Sequence, residues 1–115
     1  MANKAPKADV LQGTLDLMVL QTLATMGPLH GYSIAERLAM ISKGALDLNM
    51  GTLYPALMRM ELRGLLRAHW NRTENNRRAR YYALTAKGRR QLAAEKAEWS
   101  RMAGIIRTLI EGRTP

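Results

Sequence analysis

The residues of this sequence best suited to chemistry are positive charges gathered in one stretch. Between positions 65 and 90 the chain carries eight basic side chains and one acid, Glu74, which accounts for +7 of its formal net charge of +9. A solvated surface usually mixes both signs, so we expect this stretch to bind a polyanion, with a merely soluble basic face as the alternative. The basic residues are Arg67, Arg72, Arg77, Arg78, Arg80, Lys87, Arg89 and Arg90.

Four arginines of this stretch are the candidates for contacts to phosphate or for entry into a minor groove. They are Arg72, Arg77, Arg78 and Arg80. Trp70 lies two positions before the first of them. We interpret it as packing against the core rather than stacking on bases.

A second group of candidates lies at the starts of two predicted helices upstream. Small or hydroxyl-bearing residues at the leading end of a helix allow close approach to a duplex and can bond a phosphate or a base edge. Structural roles are open as well: Asn49 and Thr52 as helix caps, and Ser33 as a cap beside a Tyr32 packed into the core. The candidates are Tyr32, Ser33, Asn49, Gly51, Thr52, Tyr54 and Arg59.

Catalytic and metal sites are not expected. His30 and His69 are the only histidines, there is no cysteine, and neither histidine has a partner at metal-ligand spacing. The sequence also has no glycine-rich phosphate loop and no serine nucleophile motif. We therefore predict a protein that is not an enzyme and that needs no cofactor.

Length and composition predict one small folded domain. The chain has 115 residues, of which 47% are hydrophobic, enough for a core. No apolar run reaches the roughly 20 residues that span a bilayer, and the basic start, residues 1–9, lacks the apolar stretch of a signal peptide. These features, with the absence of cysteine, favour a cytoplasmic protein with no membrane partner.

Three helices are predicted before the basic stretch. Apolar residues recur at helical spacing from Leu11 to Met26, then from His30 to Ser42, and then from Asn49, a predicted N-cap, to Arg63. Pro55 is costly inside a helix, so we expect the third helix either to start near Leu53 or to be kinked there, and we favour a late or irregular first turn. The alternating segment 45–48 is interpreted as a small strand.

Period-two alternation over 65–72 and 78–85, with a turn at 73–76, predicts a β-hairpin. A long helix then follows from Thr85, a predicted N-cap, to about Gly112. Three helices, a basic hairpin and a last helix predict a mainly α fold with a small β-hairpin: a winged helix-turn-helix with a C-terminal dimerisation helix. The expected division is a flexible segment 1–9, a DNA-binding domain 10–88, the dimerisation helix 89–112 and a tail 113–115.

The last helix carries an apolar face that the rest of the chain does not suffice to cover. Its apolar residues follow three- and four-residue steps, as in a coiled coil, so we expect a second copy of the chain to cover them. Trp99 is interpreted as an anchor of this interface, or alternatively as one wall of a flat pocket for an aromatic effector. The predicted interface comprises Leu15, Leu92, Trp99, Met102, Ala103, Ile106, Leu109 and Ile110.

Several motifs in order resemble the short-form branch of the PadR family of bacterial transcription regulators, over about residues 10–110. Relatives often have a glycine in the hairpin turn where this chain has Asn76, which can adopt the same conformation. The motifs are Leu15-Asp16-Leu17, Gly27-Pro28-Leu29-His30-Gly31-Tyr32, Gly51-Thr52-Leu53-Tyr54-Pro55-Ala56-Leu57, Leu62-Arg63-Gly64-Leu65-Leu66 and Arg80-Tyr81-Tyr82-Ala83-Leu84-Thr85-Ala86-Lys87-Gly88.

The resemblance implies a winged-helix homodimer whose last helix crosses to the other subunit, usually a repressor released by a small ligand or a stress signal. It implies that Tyr32, Ser33, Gly51, Thr52, Tyr54 and the hairpin arginines contact a DNA operator. It also implies that Pro55 lies within the third helix, and that Trp99 is placed like the tryptophans that sandwich planar drugs in some relatives. The alternatives are a non-specific or architectural nucleic-acid binder, an RNA-associated winged helix, and a protein-interaction module whose basic hairpin meets an acidic partner.

Overall fold

The computed structural model describes residues 12–112 of the chain. The predicted segment 1–9, the helix start at Leu11 and the tail 113–115 lie outside this range. Four helices and three short strands follow one another along the chain. They are α1 (Gln12–Met26), β1 (Leu29–His30), α2 (Gly31–Ile41), α3 (Met50–Leu62), β2 (Leu66–Arg72), β3 (Arg78–Leu84) and α4 (Ala86–Glu111).

The core forms where the first three helices meet the sheet. Each element contributes side chains at its own period, three to four residues along the helices and two along the strands. The most deeply buried of these side chains are Val19, Leu20, Ile34, Leu53, Leu57, Met60, Leu65 and Tyr82. Burial raises the pKa of the Tyr82 phenol above its usual value, although Arg80 nearby acts in the opposite direction.

The hairpin of β2 and β3 is the main part of an antiparallel sheet with the strand order β1-β3-β2. Leu66 pairs with Leu84 and Arg72 with Arg78, which confirms the predicted hairpin. Asn76 closes the turn with a left-handed φ of 59°, a conformation that asparagine tolerates better than most residues. The strand β1 was not predicted; it adds Leu29 opposite Tyr82.

Two expectations about the middle of the chain are wrong. Residues 45–48 form no strand; they are an irregular segment in which Leu46 and Leu48 pack against the core, which explains their alternation. The helix α3 begins at Met50 rather than near Leu53, with Pro55 inside it. Proline has no N–H to donate to the carbonyl four residues earlier, here that of Gly51. Both Pro55 and Gly51 lie on the exposed face of α3, so solvent can bond this carbonyl instead.

The helix α4 begins and ends as predicted. The Thr85 hydroxyl accepts a hydrogen bond from the Gly88 amide at 2.9 Å and donates one to the Gly64 carbonyl at 2.6 Å. Gly112 ends the helix with a φ of 70°. The helix α4 packs against α1. Among the described residues, its buried side chains are confined to its first two turns, where Leu92 enters the core, and most of the later residues are exposed.

Candidate nucleic-acid interface

The leading end of α3 is organised by its cap. The Asn49 side chain accepts a hydrogen bond from the Thr52 amide at 2.9 Å, so Asn49 is the N-cap that the sequence predicts. Gly51 and Thr52 follow on the exposed side of the first turn. Their exposure leaves the small leading end of α3 open to a partner.

The start of α2 lies beside this end of α3. A β-carbon added to Gly31 would stand 3.7 Å from the ring of Tyr54, so the two helices approach closely here. Ser33 Oγ is 3.1 Å from His30 Nε2, and His30 rather than Ser33 occupies the N-cap position. Tyr32 is 68% exposed, which rules out core packing for it. Tyr32 and Ser33 of α2 and Tyr54 of α3 therefore lie along one surface depression.

The hairpin presents its cations beside an exposed aromatic ring. The guanidinium of Arg78 lies 4.8 Å from the ring centroid of Trp70, within the range of a cation–π contact. Trp70 is 57% exposed. The expectation that Trp70 packs against the core is therefore wrong; it supports Arg78 on the outside of the sheet.

The four candidate arginines of the hairpin have different surroundings. Arg77 and Arg78 are exposed near the turn. Arg72 donates from Nη1 to the backbone oxygen and the side-chain oxygen of Asn76, at 3.2 and 3.3 Å, and so helps to close the turn. Arg80 donates from Nη2 to Glu61 of α3 at 2.7 Å and joins the hairpin to that helix. Arg77 and Arg78 are thus the hairpin cations best placed for an external anion.

Arg59 of α3 is likewise engaged within the protein. Its Nη2 lies 2.6 Å from an oxygen of Asp16 in α1, and its Nε is buried without a hydrogen-bond partner. The guanidinium of Arg59 thus contacts α1. Arg59 was predicted to contact DNA, but its side chain does not face outward from α3.

A groove of about 890 Å³ runs between α2, α3 and the hairpin. It brings together residues that are far apart in the sequence, among them one that sequence reasoning missed, Met58. The predicted residues Asn49, Gly51, Thr52 and Arg72 do not line it. Its principal side chains are Tyr32, Ser33, Tyr54, Met58, Trp70, Arg77, Arg78 and Arg80. Two carboxylates, Glu36 and Glu74, also line the groove, but three guanidinium groups outnumber them. Hydroxyl groups on one wall and guanidinium groups on the other suit a phosphate backbone.

A second exposed surface lies on the outer half of α4 and is mainly apolar. Trp99 is 59% exposed and Ile110 80% exposed, and both border a shallow depression of about 410 Å³. Leu15 and Leu92 were predicted to share this surface, but both are buried in the protein's own core. The exposed face comprises Trp99, Met102, Ile106, Leu109 and Ile110, with the half-buried Ala103 among them.

Among residues 12–112 no group of acidic or histidine side chains is arranged to hold a metal ion. Within the same range, no helix combines the length and the apolar character needed to cross a membrane.

Known proteins share both the sequence pattern and the architecture. A family model described as the transcriptional regulator PadR-like family matches residues 19–94. A Streptococcus mutans UA159 protein of known structure is 27% identical, with a TM-score of 0.81 over 94% of this chain and 96% of that one. A transcriptional regulator from Clostridium thermocellum is 26% identical, with a TM-score of 0.77 over 88% of this chain and 97% of that one.

A PadR family transcriptional regulator from Eggerthella lenta is 30% identical, with a TM-score of 0.75 over 89% of this chain and 86% of that one. The matched region contains the second half of α1, all of α2 and α3, the hairpin and the start of α4. The chain therefore belongs to the PadR-like family of transcriptional regulators, DNA-binding proteins of the winged-helix fold.

Proposed function

We propose that the protein is a homodimeric repressor that binds a two-fold symmetric operator in double-stranded DNA. The observation that carries this proposal is the groove that joins the start of α2, the face of α3 and the basic hairpin. Tyr54, Met58 and Arg78 border it from different elements. A groove of this composition accommodates one sugar–phosphate strand while α3 and the hairpin reach into the grooves of the duplex on either side.

Each element has a distinct role in this proposal. A major groove about 12 Å wide admits α3, led by Gly51 and Thr52. The hydroxyl groups of Tyr32, Ser33 and Tyr54 bond phosphate oxygens. Arg77 and Arg78 neutralise phosphates or enter the adjacent minor groove. The ion pairs of Arg59 and Arg80 hold α1 and the hairpin in fixed positions about α3.

The exposed apolar face of α4 supports dimerisation through this helix. Contiguous exposed apolar surface on a small protein favours association, and aromatic residues such as Trp99 are frequent anchors of interfaces. Ile106 and Ile110 extend the face by further helical turns. A two-fold pair of such helices would place two copies of α3 at successive major grooves, about 34–36 Å apart. Residues 10–88 would then form the DNA-binding part and residues 89–112 the dimerisation part.

Release by an effector is the regulatory part of the proposal. The depression beside Trp99 is lined mostly by apolar side chains and belongs to the same face of α4. A planar apolar compound bound between two copies would favour one separation of the recognition helices and shift the population that fits the operator. Isothermal titration with planar aromatic compounds, using Trp99→Ala as the control, tests this step. Equal heats from the two proteins would contradict it.

Selection of duplexes from a random pool, followed by footprinting of the DNA upstream of the protein's own gene, tests the main proposal. The expected site has two inverted half-sites about one helical turn apart, and binding to it should survive an excess of random duplex. Loss of binding to that competitor would instead identify a non-specific architectural protein. Binding to no duplex at low salt would overturn DNA binding as a whole.

A further inference from the structure

The exposed face of α3 is unusually apolar for a helix that is proposed to contact DNA. Four residues at three- and four-residue steps form one exposed stripe along it: Gly51, Pro55, Met58 and Leu62. Met58 is 54% exposed and Leu62 is 87% exposed. No side chain of this stripe carries a hydrogen-bond donor, and the Met58 sulfur is only a weak acceptor.

Two charged residues that flank the stripe, Arg59 and Glu61, form ion pairs within the protein, whereas Arg63 at the end of α3 is exposed. Arg59 is held by Asp16 at 2.6 Å. Glu61 accepts from Arg80 at 2.7 Å, and the side-chain oxygen of Asn49 accepts from the Thr52 amide. Thr52 remains with an exposed side chain that carries both a hydroxyl and a methyl group. The leading half of α3 therefore offers no free bidentate donor to a base edge.

In the major groove each base is recognised by side chains of a particular chemistry. Guanine is read mostly by bidentate arginine or lysine, and adenine by bidentate asparagine or glutamine. Thymine alone presents a methyl group that apolar side chains contact. We propose that α3 recognises its operator mainly through the C5-methyl groups of thymines, contacted by Pro55, Met58 and the Thr52 methyl. This inference rests on the proposed function.

The position of Met58 favours DNA rather than a protein as the partner of the stripe. Met58 lines the same groove as Tyr54, Arg77 and Arg78. A polyanion drawn to the hairpin would therefore lie against Met58, whereas an apolar protein surface would have to displace solvent from two guanidinium groups beside it. The charges around the stripe thus favour a duplex as its occupant.

The test uses the tightest duplex selected from a random pool, with one base changed at a time. Deoxyuridine in place of a half-site thymidine removes only the methyl group. We expect this change to weaken binding by about fourfold for each contacted methyl, the factor that corresponds to burial of one such group. Replacement of half-site purines by their 7-deaza analogues removes the N7 acceptor, and we expect it to change affinity less than twofold.

A matched pair of protein variants assigns the contact. Met58→Ala should weaken binding to the thymine duplex and make it insensitive to deoxyuridine at one half-site position, since contacting groups couple in a double-mutant cycle. Met40→Ala, at an exposed methionine of α2, should retain the full deoxyuridine effect. Both residues are exposed, so neither variant should unfold.

Three results would count against the inference, and they can be told apart. Loss of affinity with 7-deaza purines but not with deoxyuridine would show hydrogen-bonded recognition and overturn the thymine contact while DNA binding stands. A Met58→Ala variant with an unchanged deoxyuridine effect would overturn the role of Met58. A selected duplex that binds no tighter than its scrambled sequence would overturn the proposed function itself, and this inference with it.

Discussion

The ion pair between Asp16 and Arg59 joins α3 to α1. The Asp16 side chain is 10% exposed and that of Arg59 32% exposed, so the pair is shielded from most of the solvent. Removal of one partner from a shielded pair leaves a charge without compensation. We expect Asp16→Ala to lower the free energy of unfolding by about 2 kcal/mol, less than for a fully buried pair because Arg59 keeps some contact with water.

Urea unfolding followed by circular dichroism measures this change. The double variant Asp16→Ala, Arg59→Met should regain part of the loss, since it removes the second charge and keeps an apolar side chain of similar length. If the double variant were as unstable as the sum of both single variants, the two residues would not act as a pair.

Two glycines of α4 provide a second test of packing. A β-carbon at Gly88 would collide with the Leu65 carbonyl oxygen, a backbone atom that cannot move aside cheaply. We expect Gly88→Ala to lower the free energy of unfolding by more than about 2 kcal/mol through this overlap. Thermal unfolding measures the effect.

Gly104, in the same helix, is the matched control, since no described atom outside the neighbouring backbone of the helix lies within 4 Å of its added β-carbon. Gly104→Ala should stabilise the protein by up to about 1 kcal/mol, because alanine favours helix more than glycine does. Similar losses for both variants would contradict the role of close approach at Gly88.

Local residue chemistry explains which single-residue predictions succeeded. The caps Asn49 and Thr85 act within three residues of their partners, so the sequence alone indicates them. Arg59 and Arg80 bind carboxylates 43 and 19 positions away, and no local pattern predicts such pairs. The prediction that Trp70 packs against the core failed for the same reason. The exposure of Trp70 depends on how the hairpin is placed relative to the core, which no local pattern indicates.

The hairpin acts as one basic element, and its contribution to binding should be mainly electrostatic. Arg78 lies on Trp70 with its guanidinium exposed. We expect Arg78→Ala to weaken binding to operator and to random duplex by similar factors. It should also reduce by about one the slope of binding affinity against salt concentration, both on logarithmic axes. Fluorescence anisotropy of a dye-labelled duplex over a series of salt concentrations measures both effects.

Arg101→Ala is the control for this prediction. Arg101 lies on α4, away from the hairpin, and is already bonded to Glu98 at 2.6 Å. Its removal should leave the salt slope unchanged. A larger effect from Arg101 than from Arg78 would show that the hairpin is not the DNA-contacting element.

The elements that the sequence predicted well are those with a long repeating pattern. The helices and the strands β2 and β3 each span several periods, so their approximate bounds follow from apolar spacing. The strand β1 has two residues and pairs with Tyr81 and Tyr82, about fifty positions later, so no local repeat predicts it. Residues 45–48 alternate as a strand would, but no partner strand is available to them in the described structure.

Assembly of two copies should depend on the exposed apolar face of α4. Ile106 is 49% exposed and lies between Trp99 and Ile110 on that face. A carboxylate buried there without a partner opposes association. We expect Ile106→Asp to give a folded monomer whose operator affinity falls at least a hundredfold, because half-sites then bind one at a time.

Light scattering coupled to size-exclusion chromatography measures the mass, with Ala97→Asp as the control. Ala97 is exposed on the opposite side of the same helix, so this substitution adds the same charge away from the face. It should remain a dimer. If both variants kept the mass of a dimer and full operator affinity, the subunits would associate elsewhere.

The chain has only two tryptophans, and they lie on the two surfaces that matter most. Trp70 is on the hairpin, 57% exposed, and Trp99 is on α4, 59% exposed. Indole emission moves to shorter wavelength when water is displaced from the ring. Trp99→Phe leaves Trp70 as the only emitter, and its signal should follow docking on a duplex. Trp70→Phe leaves Trp99, whose signal should follow pairing of subunits. Stopped-flow traces of the two variants would establish, without an attached dye, whether the subunits pair before they reach DNA or on it.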